Sequence, residues 1–335
     1  MATALETLQQ TFGYSSFREG QAEIIDAVMA GQRTLGIMPT GGGKSLTYQI
    51  PALMLDGITV VISPLLSLMK NQVDELHEAG VPAVTLNSTQ NDEEYRAAMN
   101  SLLNEEAKLL YLAPERLGSE GTYALLNRLP ISLVVIDEVH VLSQWGHDFR
   151  PSYLNAVGLI NNLESAPRVM ALTATATERV QADLEAMLHI QHTVRTSVVR
   201  DNLTIRIEKG LNKRSKEDFI TKYIREHRGE SGIVYAPTRK IVEALTETLT
   251  AAGINAVGYH AGMPDQARAQ AQDDFIYDRR DVVVATNAFG MGINKSNVRF
   301  VIHYGIPGSV EAYYQEIGRA GRDGLPSEAI LLYAA

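Results

Sequence analysis

Short apolar runs alternate with stretches of helical spacing along most of this chain. Runs of strand length fall at residues 34–37, 59–62, 83–86, 109–112, 133–136 and 169–172. Between them, 66–79 and 92–103 carry helical spacing, and 21–29 sets Ile24, Ile25 and Val28 on one face. Residues 46–55 read as the first turns of a helix, with Pro51 as an interruption. The pattern changes around 195–209, and a second series follows. Its strands are expected at 232–235, 256–259, 282–285, 300–303 and 330–333, and its helices at 216–226, 239–252 and 265–275. Alternating strands and helices predict parallel sheets covered on both faces, with ligands beyond the carboxyl ends of the strands. The expected architecture is α/β in two domains, residues 1–200 and 201–335.

Composition supports two cores: 335 residues are enough for two domains, and 45% are apolar. No apolar run reaches the ~18 residues of a membrane span, so none is expected. The first residues lack the basic and apolar regions of a secretory signal. Cysteine is absent, which rules out disulfides and Cys-ligated zinc and fits an intracellular, cytoplasmic setting. The net charge of −9 is unevenly spread. Residues 1–196 hold 22 Asp/Glu against 12 Lys/Arg, whereas 197–335 hold 17 against 18. Any contact with a phosphate backbone must then be a local patch, and bulk charge neither supports nor excludes a nucleic-acid partner.

Chemistry concentrates at strand ends. After the run at 34–37 comes Met38-Pro39-Thr40-Gly41-Gly42-Gly43-Lys44-Ser45, the layout of a phosphate-binding loop. Its glycines let backbone N–H groups line an anion nest, Lys44 reaches phosphates, and the Ser45 hydroxyl suits Mg²⁺. The strict pattern has a further Gly where Met38 stands, and a plain glycine turn with a solvated lysine is the alternative. Asp137 and Glu138 end a wholly apolar strand. They suit a magnesium ligand and a base for the attacking water, or else a solvated helix cap. Ser143 to Pro151 holds Trp145, His147, Phe149 and Arg150, with the chain's single Trp, in a stretch of no period. Such a loop can stack on bases, or Trp145 can be a core anchor. Thr173-Ala174-Thr175-Ala176-Thr177 follows another strand, with Thr177 placed to cap a helix starting near Glu178. Near the end, Gln315 to Gly324 sets Arg319 and Arg322 among glycines, either a phosphate fork or a solvated turn.

In order and content these segments resemble the superfamily 2 helicase core, and within it the RecQ family of DNA helicases, over nearly the whole chain. The resemblance implies two tandem RecA-like domains with ATP in the cleft between them. Phe17-Arg18-Glu19-Gly20-Gln21 is similar to the adenine-reading segment, which implies that Arg18 and Gln21 contact the base. Thr40 to Ser45 would then hold ATP, and Ser45 with Asp137 its Mg²⁺. Val60 to Leu68, Leu86 to Gln90 and Ala113 to Arg116 look like strand-contacting motifs. They imply DNA contacts at Ser63, Pro64, Asn87 and Ser88. Ser143 to Pro151 resembles the family's aromatic-rich loop, making Trp145, His147, Phe149 and Arg150 implied DNA sensors. The segment 285–295 is similar to motif V, implying contacts at Thr286 and Asn294, and Gln315 to Gly324 to motif VI, implying Arg319 and Arg322 as arginine fingers. The expected partners are single-stranded and tailed duplex DNA, with no membrane and no zinc, and translocation runs 3′ to 5′.

Three departures stand out. Val139 replaces the usual Ala, with little consequence expected. Asp201 replaces the usual Pro, which implies a looser interdomain linker. The chain also stops shortly after its last strand, where the family often continues into a four-cysteine zinc subdomain and a winged helix. A motor without its main duplex-gripping parts is therefore expected. Two rival readings stay open: an RNA-directed helicase, and a nucleotide-gated binding module with little hydrolysis.

Overall fold

The computed structural model describes residues 2–334 apart from 65, 88–89, 146–148, 198–199, 290–292 and 294, and without the side chains of 66 and 67. The expected roles of Ser88, His147 and Asn294 therefore lie outside the described residues. The chain divides into two compact units, Met1–Val198 and Val199–Ala335.

The first unit holds seven described strands: β1 (Thr34–Ile37), β2 (Ile58–Ile62), β3 (Ala83–Leu86), β4 (Leu109–Leu112), β5 (Ile131–Ile136), β6 (Arg168–Thr173) and β7 (His192–Arg195). They form one sheet in the order β3-β4-β2-β5-β6-β1-β7, and every pairing is parallel. Around it run α1 (Ala4–Phe12), α2 (Gln21–Met29), α3 (Lys44–Met54), α4 (Leu66–Glu78), α5 (Asp92–Leu103), α6 (Glu120–Arg128), α7 (Leu154–Asn162) and α8 (Glu178–Leu188). Strands β1, β2 and β4 are buried at every residue, which is why they read as unbroken apolar runs rather than alternating ones. Successive residues serve opposite cores: Val60 and Ile62 pack on one side, Val61 on the other.

One expectation needs correction. Helix α3 runs through Pro51 instead of breaking there. A mid-helix proline costs about 3 kcal/mol by removing a donor and crowding the preceding turn. Here Tyr48, Ile50, Pro51 and Ala52 are all buried, and Leu55 N still donates to Pro51 O at 2.8 Å. Burial of that face offsets the lost bond.

The second unit holds β8 (Leu203–Glu208), β9 (Ser231–Tyr235), β10 (Ala256–Tyr259), β11 (Val282–Ala285), β12 (Val298–His303) and β13 (Ser327–Leu332). Their order is β10-β11-β9-β12-β13-β8, again all parallel. Its helices are α9 (Lys213–Glu226), α10 (Arg239–Ala251), α11 (Asp265–Ile276) and α12 (Val310–Ile317). The segment read as a change of pattern thus contains an ordered edge strand, β8.

In the first sheet, register places the functional segments. Ile37 pairs with Thr173 and with Arg195, Ile136 with Ala171 and with Ile62, and Leu112 with Ile62 and with Leu86. The residues just beyond these pairs therefore share one carboxyl edge. Met38, Asp137, Ser63, Ala113 and Asn87 follow one another along it by strand. At about 4.8 Å between neighbouring strands, the ends of β1 and β5 are about 10 Å apart, with β6 between them.

Candidate nucleotide and nucleic-acid site

The loop after β1 is shaped by its glycines. Gly41 and Gly43 take φ of 83° and 78°, a left-handed conformation open to residues without a Cβ. A Cβ on Gly43 would sit 2.4 Å from the Gln21 Nε2, so space as well as torsion demands glycine. Gly43 gives α3 no side-chain cap, leaving its first N–H groups to point into the loop. Lys44 Nζ rests 3.4 Å from the Met38 carbonyl. Met38, in the place of the missing glycine, is buried in the core, and its N–H bonds Thr173 O at 3.0 Å.

Arg18 and Gln21 reach this loop. Arg18 Nη1 donates to Gly41 O at 2.6 Å, and Gln21 Nε2 to Gly43 O at 2.9 Å. Gln21 Oε1 accepts from Arg18 N at 2.7 Å. The two residues thus tether the loop, a duty their sequence position did not suggest. An amide offers two N–H donors and two lone pairs, so Gln21 keeps one of each beyond these bonds.

Asp137 and Glu138 stand at the end of β5, where Asp137 N bonds Ile62 O at 2.9 Å. Asp137 Oδ1 accepts from Glu138 N at 3.0 Å. Burial pushes the Asp137 carboxyl up to about 7, the neighbouring Glu138 charge adds to this, and Lys44 opposes it. Glu138 has φ of 51°, strained for a residue with a side chain. Its Oε2 is buried without a hydrogen-bond partner among the described residues. Such an oxygen fits a site made to hold a water. His140 Nδ1 lies 3.4 Å from that oxygen and 2.9 Å from Thr173 Oγ1. Thr173 gives its only hydroxyl hydrogen to Thr175 O at 2.9 Å, so His140 Nδ1 is the donor in the pair. His140 is thus bonded to the threonine segment and lies against the acidic pair. Thr177 caps α8 through Val180 N, as read from the sequence. Among the described residues no group of three or more His, Cys, Asp or Glu could hold a metal alone. The Ser45 hydroxyl and Asp137 carboxylate are hard oxygen donors of the kind magnesium takes alongside waters and phosphates.

The strand-contacting segments lie farther along the same edge. Ser63 is 2% exposed, and Pro64 beside it is partly exposed. Asn87 is held in a turn, its N bonded to Gln90 Oε1 at 2.9 Å and its Nδ2 to Thr85 Oγ1 at 3.2 Å. Trp145 is 57% exposed, which removes the core-anchor alternative. Arg179, at the start of α8, lies 3.3 Å over its ring. Ser143 Oγ accepts from Trp145 N at 3.2 Å and donates to Asp183 on α8 at 2.6 Å. Phe149 and Arg150 are partly exposed, and Arg150 N bonds Val141 O at 2.8 Å. Sequence reading missed Arg179 and Asp183, which no local pattern marks.

In the second unit Thr286 follows β11, its N–H bonded to Tyr259 O at 3.2 Å. Arg319 and Arg322 flank the turn after α12. The Arg319 charge opposes the upward push of burial on the Tyr235 phenol, and Arg322 Nη1 donates to Ile293 O at 2.8 Å. Lys295 Nζ is buried against Asp278 at 2.6 Å and bonds Ile276 O at 3.3 Å, at the end of α11. On either side of Asp201, Arg200 and Asn202 are bonded within the second unit to the turn that carries the two arginines.

Two such sheets, one with a phosphate loop beside an acidic pair, define a nucleotide-driven helicase core. Residues 18–184 match the DEAD/DEAH box helicase model, and 215–324 the helicase conserved C-terminal domain. The chain belongs to the RecQ family of helicases. It is similar to ATP-dependent DNA helicase RecQ of Bacillus subtilis, 51% identical over 99% of this chain and 56% of that protein. For RecQ of Haemophilus influenzae the identity is 48%, over 99% and 53%. For the probable ATP-dependent DNA helicase RecS of Bacillus subtilis it is 44%, over 100% and 67%. The chain thus spans about half the length of the RecQ relatives it matches. By fold it is similar to Mycobacterium smegmatis helicase Lhr bound to ssDNA and AMP-PNP (TM-score 0.79, 23% identity, 99% of this chain, 48% of that one). Saccharomyces cerevisiae Dbp5 bound to RNA and ADP BeF3 is likewise similar (0.77, 18%, 99% and 87%). At these identities the two structures speak to fold alone.

Proposed function

We propose that this chain is the motor of an ATP- and Mg²⁺-dependent DNA helicase. Hydrolysis is stimulated by single-stranded DNA and drives 3′-to-5′ movement along it, with tailed duplex as the substrate for unwinding in repair or recombination. The observation that carries the reading is the phosphate loop and the Asp137–Glu138 pair on one sheet edge, about 10 Å apart by strand spacing. In this reading the loop N–H groups and Lys44 hold the phosphates, and Ser45 and Asp137 hold the magnesium, which would neutralise charge on them. Glu138 Oε2 orients and deprotonates the water, and Arg18 and Gln21 hold the adenine. Arg319 and Arg322 reach the γ-phosphate when the two domains close. Pro64, Asn87, Thr286 and the Trp145 loop contact the DNA. The cellular setting is the cytoplasm, at the nucleoid. Among the described residues no helix is long and apolar enough to cross a membrane.

The test is phosphate release with and without single-stranded DNA, with matched RNA, and with EDTA, beside unwinding of a 3′-tailed duplex. Stimulation by DNA over RNA, lost with EDTA and restored by Mg²⁺, is expected. Equal stimulation by RNA would favour an RNA-directed helicase, and no phosphate release a nucleotide-gated binding module.

A further inference from the structure

We propose that Arg200 is a positioning residue for the arginine pair, fixing the turn that carries Arg319 and Arg322. This deepens the reading above and rests on its assignment of that pair. Helix α12 ends at Ile317, and carbonyls past a helix end lack helical partners. Arg200 supplies them. Its Nη1 donates to Gly318 O at 3.2 Å and to Ala320 O at 2.8 Å, and its Nη2 to Gly321 O. All three acceptors lie just before or between the two arginines. Asn202 extends the clamp, with Nδ2 donating to Gly321 O at 2.8 Å and Leu325 O at 2.9 Å. Gly321 has φ of 60°, and a Cβ there would sit 2.5 Å from Asn202 Nδ2, so the turn and the clamp are closely fitted.

A purely architectural role would not need this fork. The strand pairing of β8 with β13 already ties the segment down, and Ser327 N bonds Asn202 O at 2.8 Å. Arg200 adds contacts to the arginine-bearing turn and to Asn202 Oδ1 at 3.3 Å. A planar guanidinium can serve several carbonyls at once, whereas an ammonium is a single point charge. The chain passes from the first unit to the second between Val198 and Val199. The residue that clamps the turn is thus one step beyond the crossover.

The experiment measures DNA-stimulated ATPase of the full chain for Arg200→Ala, Arg200→Lys, Arg322→Ala and the double variant Arg200→Ala/Arg322→Ala, each with its melting temperature. Displacing a reacting group by about 1 Å costs roughly 100-fold. Arg200→Ala is therefore expected to lower kcat by roughly 10–100-fold while the KM for ATP moves less than about threefold. Arg200→Lys should recover only part of that loss. The double variant should lose less than the product of the two single losses, since one of the two arginines that Arg200 positions is already absent. Multiplying losses, a KM change as large as the kcat change, or an unchanged kcat overturns the proposal. Should Arg200→Ala fail to fold, Arg200→Lys alone and combined with Arg322→Ala decides on the same criteria. If Arg322→Ala hydrolyses ATP normally, the assignment of the pair is what fails. If Arg322→Ala is inactive and Arg200→Ala normal, only the positioning role fails.

Discussion

Arg179→Ala should make the protein more responsive to single-stranded DNA. The Arg179 guanidinium lies 3.3 Å over the Trp145 ring, covering a face on which a base would stack. A cation over an exposed ring is worth about 0.5–1 kcal/mol, and Trp145 is 57% exposed. Stacking one base returns about 1–3 kcal/mol, so releasing the arginine consumes a substantial share of it. Deleting the guanidinium should lower the DNA concentration for half-maximal ATPase by roughly two- to fivefold, the same energy expressed as a ratio. Stability should change little, because Arg179 is exposed and lies in the first turn of α8, where the helix dipole disfavours a cation. Trp145 is the sole tryptophan, so emission excited at wavelengths that the 14 tyrosines do not absorb reports on this loop alone. Acrylamide should quench the variant more strongly than the parent in the absence of DNA. Unchanged quenching would refute the stacked resting state. A higher DNA requirement in the variant would refute the competition argument and make Arg179 a phosphate ligand instead.

Glu138→Gln keeps the size of the side chain and removes the base. Turnover should fall on the order of 10²–10⁴-fold with nucleotide binding retained, read by phosphate release and analogue binding. Near-normal turnover would place the base elsewhere. Gln21→Ala should raise the KM for ATP more than that for GTP, since the spare N–H and lone pair suit adenine. It should also lower the melting temperature, as Gly43 O and Arg18 N lose their partner. Equal effects on both nucleotides would leave Gln21 a tether only. Gly43→Ala should weaken nucleotide binding at least as much as Gln21→Ala, with the fold intact by circular dichroism, because a side chain at φ of 78° strains the loop and its Cβ presses on Gln21 Nε2. Normal affinity in that variant would show that the loop reshapes freely.

What the sequence revealed, and what it hid, follow from where each interaction closes. Strands buried on both faces, such as β1 and β4, are continuous apolar runs, and their ends were read to the residue. The edge strands β7 and β8 escaped notice for the converse reason, although the opposite edges, β3 and β10, were read. In β8 the alternation Leu203-Thr204-Ile205-Arg206-Ile207-Glu208 is complete, yet Ile205 and Ile207 are 56% and 53% exposed, so the period marks no core. In β7 only Val194 is buried. The phosphate loop and the acidic pair were legible because their chemistry lies within a few consecutive residues. Trp145 stayed ambiguous in sequence because exposure is a tertiary property, and the burial of Ser63 was unreadable for the same reason. The tethers were invisible. Arg200 meets Ala320 across 120 residues, and Gln21 meets Gly43 across 22, through side-chain bonds to backbone carbonyls that leave no trace in local composition.

That asymmetry has a physical cause. A group that touches phosphate needs a particular atom, so residue type at that position is constrained and readable. A group that holds the phosphate loop or the arginine turn in place needs only a donor at the right point in space, which folding supplies from anywhere in the chain. The strained Glu138, at φ of 51°, illustrates the consequence. Its torsion costs on the order of 1–3 kcal/mol and persists only if the surroundings hold it. Here they do: Asp137 N bonds Ile62 O, Tyr153 Oη donates to Asp137 O at 3.2 Å, and His140 is fixed by Thr173. The chemistry of the acidic pair is written in two adjacent letters, but its geometry is set by residues from β2, the segment before α7, and β6. A variant scan confined to the recognisable motifs would therefore sample the reacting groups and pass over much of what aligns them.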